Sequence, residues 1–360
     1  MLLVLKSLSR NGLWFKITMR GQRAAAQARD GVSDSLFSTH SAHAMVRAMT
    51  ATLTTPDGRP ASAFAFGTMQ FGGRADAAAS AAMYAACRAA GISHFDTAYV
   101  YTDGRSETLL GGMIGAERDR LLIATKVGYL GGAGAANIRA QFDICRQRLG
   151  LDMIDALYLH RFDPDTDLNE TMECLARLRD AGQIRYVGLS NFAAWQVMKA
   201  VAVAGLFDLR IDLLQPMYNL VKRQVEVEIL PMCADQGIAV AAYSPLGGGL
   251  LTGKYVGGGA GRLTEDDRYG ARYGLDWMPR AAEGLVRIGA ELGVDPATLA
   301  VAWVAASPLG AQPIISARSA EQLRPSLAAM NYEMPPELYA RLTALSPTPP
   351  PATDRIEEQA

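Results

Sequence analysis

Apolar stretches in this chain repeatedly stop at a polar residue, and the stops are evenly spaced. They fall at Asp96, Lys126, His160, Ser190, Gln215 and Tyr243, so successive gaps are 30, 34, 30, 25 and 28 residues. About 30 residues is the length of a strand, its crossover helix and the connecting turns. The segments between carry helical spacing. Met83, Tyr84 and Cys87 recur within 75–90, which Gly91 closes, and 137–149 and 167–181 read the same way. Strands alternating with helices at this interval predict a parallel sheet. Two further runs, 64–69 ending at Gly67 and Thr68 and 311–315 ending at Ser316, raise the strand count to eight. Eight units over about 250 residues close into a single-domain α/β fold, the (β/α)8 TIM barrel, with the polar stops around one mouth.

The gap from 243 to 316 is too long for one unit and predicts an insertion: a glycine-rich loop over 246–277 and an extra helix over 280–292, ahead of the last repeat helix at 296–306. Pro56-Asp57-Gly58-Arg59 signals a small N-terminal hairpin, and 335–345 an accessory helix. Ser106 and Asn169 are the expected caps of the helices after the second and fourth strands. The barrel domain is thus expected over 51–346, with a Pro-rich tail at 347–360 where ordered structure ends. Residues 1–50 differ: basic, Ser-containing and poor in acids, without periodicity. Their composition resembles a transit peptide, but a disordered extension left by an over-long gene start, with translation from Met45 or Met49, is the favoured reading.

A net charge of −1 gives no electrostatic reason for nucleic acid or a membrane surface as partner, and no apolar run reaches spanning length. Cys87, Cys145, Cys174 and Cys233 are far apart with no paired spacing, and each lies in a helical stretch, which predicts buried thiols in a reducing, cytoplasmic setting. The only histidines are His40, His43, His94 and His160, so no metal site is expected.

In such a barrel Asp96, Lys126 and His160 come from three consecutive strands, with Tyr101 on the loop beside them. Carbonyl reduction needs a proton donor at the oxygen and a hydride at the carbon. A tyrosine holds its proton at neutral pH, a lysine alongside eases its loss, and a carboxylate keeps the lysine charged. A neutral histidine orients the carbonyl oxygen. Singly, each residue reads as a strand-end lysine, a core histidine or a loop cap; the four together favour the chemistry.

At this point the sequence resembles the aldo-keto reductases, from about Gly67 to Gln322. Phe95-Asp96-Thr97-Ala98-Tyr99-Val100-Tyr101, continued by Ser106-Glu107 and Leu110-Gly111, matches the family's Asp and Tyr signature. Ala124-Thr125-Lys126-Val127 and Leu157-Tyr158-Leu159-His160 match its lysine and histidine segments. Gly182-Gln183-Ile184-Arg185-Tyr186-Val187-Gly188-Leu189-Ser190-Asn191-Phe192, Gln215-Pro216-Met217-Tyr218-Asn219 and Tyr243-Ser244-Pro245-Leu246 are close to family hallmarks. The glycine-rich continuation resembles the bacterial and channel-beta-subunit-like branches.

The resemblance implies a nicotinamide cofactor across the barrel mouth and a small aldehyde or ketone substrate. Ser190, Asn191 and Gln215 would hold the carboxamide and Tyr243 would stack on the ring. Thr68 and Met69 would line the site from the first strand, and Ser244, Leu246, Gly248 and Lys254 the diphosphate. Ser316, Arg318 and Gln322 would take the adenosine end, where a guanidinium favours NADPH, with NADH the alternative. The family often has Pro-Gly where Ile315-Ser316 stands and Asn at Ser326, departures that bear on cofactor preference and not on hydride chemistry. The resemblance also admits a cofactor-binding regulatory subunit of a membrane channel with little turnover.

Two motifs point elsewhere and fail. Gly248-Gly249-Leu250-Leu251-Thr252-Gly253-Lys254 copies most of a phosphate-binding loop, but Tyr255 replaces the magnesium-holding hydroxyl. Gly132-Ala133-Gly134 is a fragment of a dinucleotide fingerprint without its third glycine or its place after a first strand, and reads as a flexible rim loop.

Overall fold

The computed structural model describes residues 53–355 and 357; the expectations for 1–50 and for the end of the tail lie outside them. Parallel strands follow one another in chain order around a closed barrel. They are β1 (Ala65–Gly67), β2 (His94–Asp96), β3 (Leu122–Val127), β4 (Ile154–Leu159), β5 (Ile184–Ser190), β6 (Leu213–Gln215), β7 (Ala239–Tyr243) and β8 (Gln312–Ile315). β8 closes the ring on β1 through Ala65↔Ile314 and Phe66↔Ile315.

Strand residues alternate between the barrel interior and the layer under the helices. On β3, Leu122 and Ala124 pack inside with Ala156, Tyr158 and Leu213, whereas Ile123 and Val127 join the outer core. On the far side Ala65, Ala241 and Ile314 fill the same interior. Close packing there requires one glycine: Tyr158 faces Gly188 across the β4–β5 pair, and a Cβ at 188 would lie 2.3 Å from its ring. The barrel is therefore a packed core with its opening at one end.

The opposite end is plugged. The expected hairpin is present in minimal form, as one antiparallel bridge, Thr54↔Pro60, around a turn with Gly58 at φ 82°. It carries Leu53 into the interior cluster. Arg185 donates to the Thr54 carbonyl (2.9 Å) and the Thr54 amide to the Tyr186 hydroxyl (3.1 Å), so β5 holds the plug.

The helices fall where the spacing puts them, with three corrections. Ser106 is not a cap: the helix runs Arg105–Ile114 from Gly104, and Ser106 is buried in its first turn, its hydroxyl bonded to Thr68 and Thr97. Asn169 is not a cap either. Asp167 caps the helix Leu168–Asp180, accepting from the Asn169 amide (2.9 Å), because an N-cap carboxylate reaches the orphan amide two residues on. The glycine-rich insertion is more ordered than expected. It holds a 3-10 turn, Gly247–Thr252, and short helices Arg262–Glu265 and Asp267–Tyr273 before the helix Trp277–Leu292. Asp266 caps the second of these, and Arg74 ties the first to the β1 loop through Glu265 (3.1 Å). Glycines between the helices hid so short a period in the sequence.

All four cysteines are free and buried, burial raising their thiol pKa values. Among the described residues no single helix is long and apolar enough to cross a membrane.

Candidate active site

Inward alternation, continued to the strand ends, brings the polar stops together. Asp96 ends β2, Lys126 is the third inward residue of β3, and His160 follows β4. Ser190, Gln215 and Tyr243 end β5, β6 and β7, and Ser316 follows β8.

Lys126 and Asp96 form an ion pair whose side chains are 0% and 3% exposed. Nζ donates to Asp96 Oδ1 and to the Thr97 carbonyl (2.8 Å), while Gln215 Nε2 donates to Asp96 Oδ2 (2.8 Å). Burial alone would lower the lysine pKa, but Asp96, Tyr101 and hydrogen bonds to both hold it above its ordinary value. A buried ammonium persists because each of these partners favours its charged form.

The Tyr101 ring lies beside that ammonium, Nζ 5.0 Å from the ring centroid. Burial raises the phenol pKa and Lys126 lowers it; burial prevails, so the net shift is upward. Lys126 eases the loss of the proton as expected, but burial outweighs it. The lysine limits a penalty that the site itself imposes, and Tyr101 is protonated at neutral pH.

The His160 ring lies edge-on to Tyr101, 5.9 Å between centroids. Its Nδ1 is buried with no partner. Burial, then Lys126 and Arg161, pull its pKa down to about 3, so the imidazole is neutral. The Asn191 amide holds the His160 carbonyl at 2.9 Å.

The remaining positions expected from sequence sort into several groups. Asn191, at φ 60°, donates to Ser190 Oγ (3.1 Å) and accepts from the Tyr243 hydroxyl (2.7 Å), while Ser190 donates to the Gln215 carbonyl (3.1 Å). These four therefore form one polar edge beside the tetrad. Ser244 (φ 59°) and Gly248 (φ 66°) are left-handed on either side of Leu246 (φ −92°), in a loop anchored where Asn219 donates to the Ser244 carbonyl (2.9 Å). Lys254 lies beyond, its ammonium 4.8 Å from the Tyr255 ring. Ser316 Oγ is buried without a partner, and the nearby Arg318 amide donates to Gln322 Oε1 (2.9 Å). Met69 is at the surface, 36% exposed. Thr68 is different. Fully buried, its hydroxyl is spent on the Asp96 carbonyl (3.1 Å) and Ser106 (2.8 Å), so it braces the strand ends.

A nicotinamide dinucleotide fits these groups. Unpartnered Ser316 Oγ and His160 Nδ1 are buried acceptors or donors with nothing to bond in the protein, and the Gln215 amide oxygen remains to accept from a carboxamide.

Two aromatic residues of the site were missed in the sequence. Tyr269, from the helix Asp267–Tyr273, is close enough to Tyr101 to raise its pKa, and Tyr129 packs 5.0 Å from the His160 ring. Neither belongs to a repeating motif; only their places in the glycine-rich 246–277 insertion and just before the 132–134 rim loop pointed to them. The 132–134 loop is also less free than expected, since Asn137 donates to the Gly132 carbonyl (2.7 Å) and the Ala133 amide to Asp163 (2.7 Å).

The sequence model of the aldo/keto reductase family matches residues 63–347. A probable voltage-gated potassium channel subunit beta of Oryza sativa subsp. japonica is 32% identical over 79% of this chain and 92% of that protein. An uncharacterized oxidoreductase of Bacillus subtilis, YrpG, is 32% identical over 79% of this chain and 91% of its own length. The human aflatoxin B1 aldehyde reductase member 2 is 39% identical over 54% of this chain and 56% of that protein.

Proposed function

Because the chain belongs to the aldo/keto reductase family, we propose that it reduces small aldehydes or ketones with NADPH at the site of Asp96, Tyr101, Lys126 and His160. The observation that carries this is the buried Asp96–Lys126 pair set directly beneath a protonated tyrosine. Bound along the Ser190–Gln215–Tyr243 edge, the dihydronicotinamide supplies a hydride to the carbonyl carbon. Tyr101 gives its phenolic proton to the carbonyl oxygen, leaving a phenolate that solvent reprotonates. Lys126 stabilises that phenolate, and Asp96 keeps the lysine charged. His160 stays neutral, so it donates a hydrogen bond to the carbonyl oxygen without adding charge. Ser190, Asn191 and Gln215 would hold the carboxamide and Tyr243 would stack on the ring. Ser244, Leu246, Gly248 and Lys254 would line the diphosphate. Ser316 and Gln322 would meet the adenosine, and the Arg318 fork would select a 2′-phosphate.

Tyr101→Phe is expected to abolish turnover of a small aromatic aldehyde while leaving NADPH binding nearly intact. Retained turnover would remove Tyr101 from this role. Consumption of NADPH against NADH over aldehydes, ketones and sugars tests the cofactor assignment, and a preference for NADH would sink it. The likeness to the rice potassium channel subunit beta favours a second reading, a cofactor-binding channel subunit. Binding of NADPH with no turnover on any carbonyl would support it.

A further inference from the structure

We infer that Arg148, anchored by Glu107, is a positioning residue that fixes where the Tyr101 hydroxyl sits. The inference rests on Tyr101 being the proton donor. Directly after Tyr101 the backbone is left-handed at three residues running: Thr102 (φ 49°), Asp103 (φ 56°) and Gly104 (φ 89°). Only the glycine adopts that region freely, and the other two are strained in it. A loop so shaped relaxes unless its surroundings hold it.

It is held from two sides. Thr102 donates its hydroxyl to the Phe71 carbonyl (2.7 Å) and accepts from the Ser106 amide (3.0 Å). On the other side lies the Arg148 guanidinium, at the end of the helix Ala135–Leu149. Its Cζ is 4.7 Å from the Tyr99 ring centroid, and Nη1 donates to the Tyr99 carbonyl (2.9 Å). A Cβ at Gly104 would come within 2.3 Å of Cζ, so the loop backbone lies directly against the guanidinium. One side chain thus touches the loop on both flanks of Tyr101.

Glu107 fixes that side chain in turn. Fully buried, its Oε2 accepts from Arg148 Nη1 (3.0 Å) and its Oε1 from the Thr125 hydroxyl (2.6 Å). Thr125 is the neighbour of Lys126 on β3. A continuous path therefore runs from the strand bearing the ammonium, through Glu107 and Arg148, to the loop bearing the phenol. The two helices concerned have no slack, since a Cβ at Gly111 would fall 2.6 Å from the Leu149 carbonyl oxygen.

The test is steady-state reduction of 4-nitrobenzaldehyde by NADPH, with NADPH affinity read from protein fluorescence. Arg148→Met should lower kcat about 100-fold, the cost of a misplaced catalytic group, with KM and NADPH affinity within about twofold. Arg148→Lys should recover about tenfold of that loss, since an ammonium restores the pair with Glu107 but not the flat fork. Gly104→Ala, which drives a methyl against the guanidinium and forces the loop and the arginine apart, should lower kcat in the same selective way, and it carries the test if Arg148→Met does not fold. Unchanged kcat in Arg148→Met and Gly104→Ala, beside an inactive Tyr101→Phe, would overturn the inference alone. So would a kcat loss matched by an equal loss of NADPH affinity. Turnover surviving in Tyr101→Phe would overturn the proton-donor reading and the role of Arg148 with it.

Discussion

Lys126 and His160 respond oppositely to the same burial. The ammonium stays charged because Asp96 and Tyr101 face it, whereas the imidazole faces only cations and gives up its charge, its pKa falling from 6.5 to about 3. Between those two values the unfolded chain holds a proton at residue 160 that the folded chain does not. Stability therefore falls as pH drops from about 6.5 toward 3. His160→Asn removes this contribution, so its urea-unfolding free energy should decline less steeply with acid than that of the parent. Equal slopes would mean that the histidine is protonated in the folded protein. Gly188 is as constrained as either. Gly188→Ala drives a methyl into the Tyr158 ring and is expected to cost about 1–3 kcal/mol in denaturant titrations.

At the level of the helices and strands, what the sequence revealed depended on length and repetition. β3 is legible because its apolar run stops at Lys126 and the strand extends over a full six residues. β6 ends at Gln215 as expected but spans only Leu213–Gln215, and an apolar run carries no mark of where pairing starts. The helix Asp267–Tyr273 was missed because two turns between glycines show no recurrence. Caps were ambiguous where two candidates stand two residues apart, as at Asp167 and Asn169. Asp167→Ala should lower the unfolding free energy by about 1 kcal/mol and Asn169→Ala by less than about 0.5, measured by urea titration. The reverse order would restore Asn169 as the cap.

In the whole molecule, stability and chemistry occupy opposite ends of one cylinder. Leu53 closes the lower end among Leu122, Ala124, Ala156, Tyr158 and Leu213, and the tetrad lies at the upper. Leu53→Ala is expected to destabilise the fold by about 2–4 kcal/mol in chemical denaturation while leaving kcat and KM at 25 °C unchanged. A parallel fall in kcat would mean that the two ends are coupled. The barrel and the tetrad were readable in the sequence because strand ends recur. The Tyr269 and Tyr129 walls were not, because loops that shape a pocket obey no period.

The inward alternation also decides which changes in length the protein tolerates. Every strand works like a key cut with teeth on both edges: lose one residue from β3 upstream of Lys126 and the lysine turns to face the helices while Val127 takes its place at the mouth. Loops such as 128–136 have no such parity and can grow or shrink without reversing anything. New substrate preferences are therefore reachable by loop insertion, whereas a single-codon deletion inside a strand removes the reaction at a stroke.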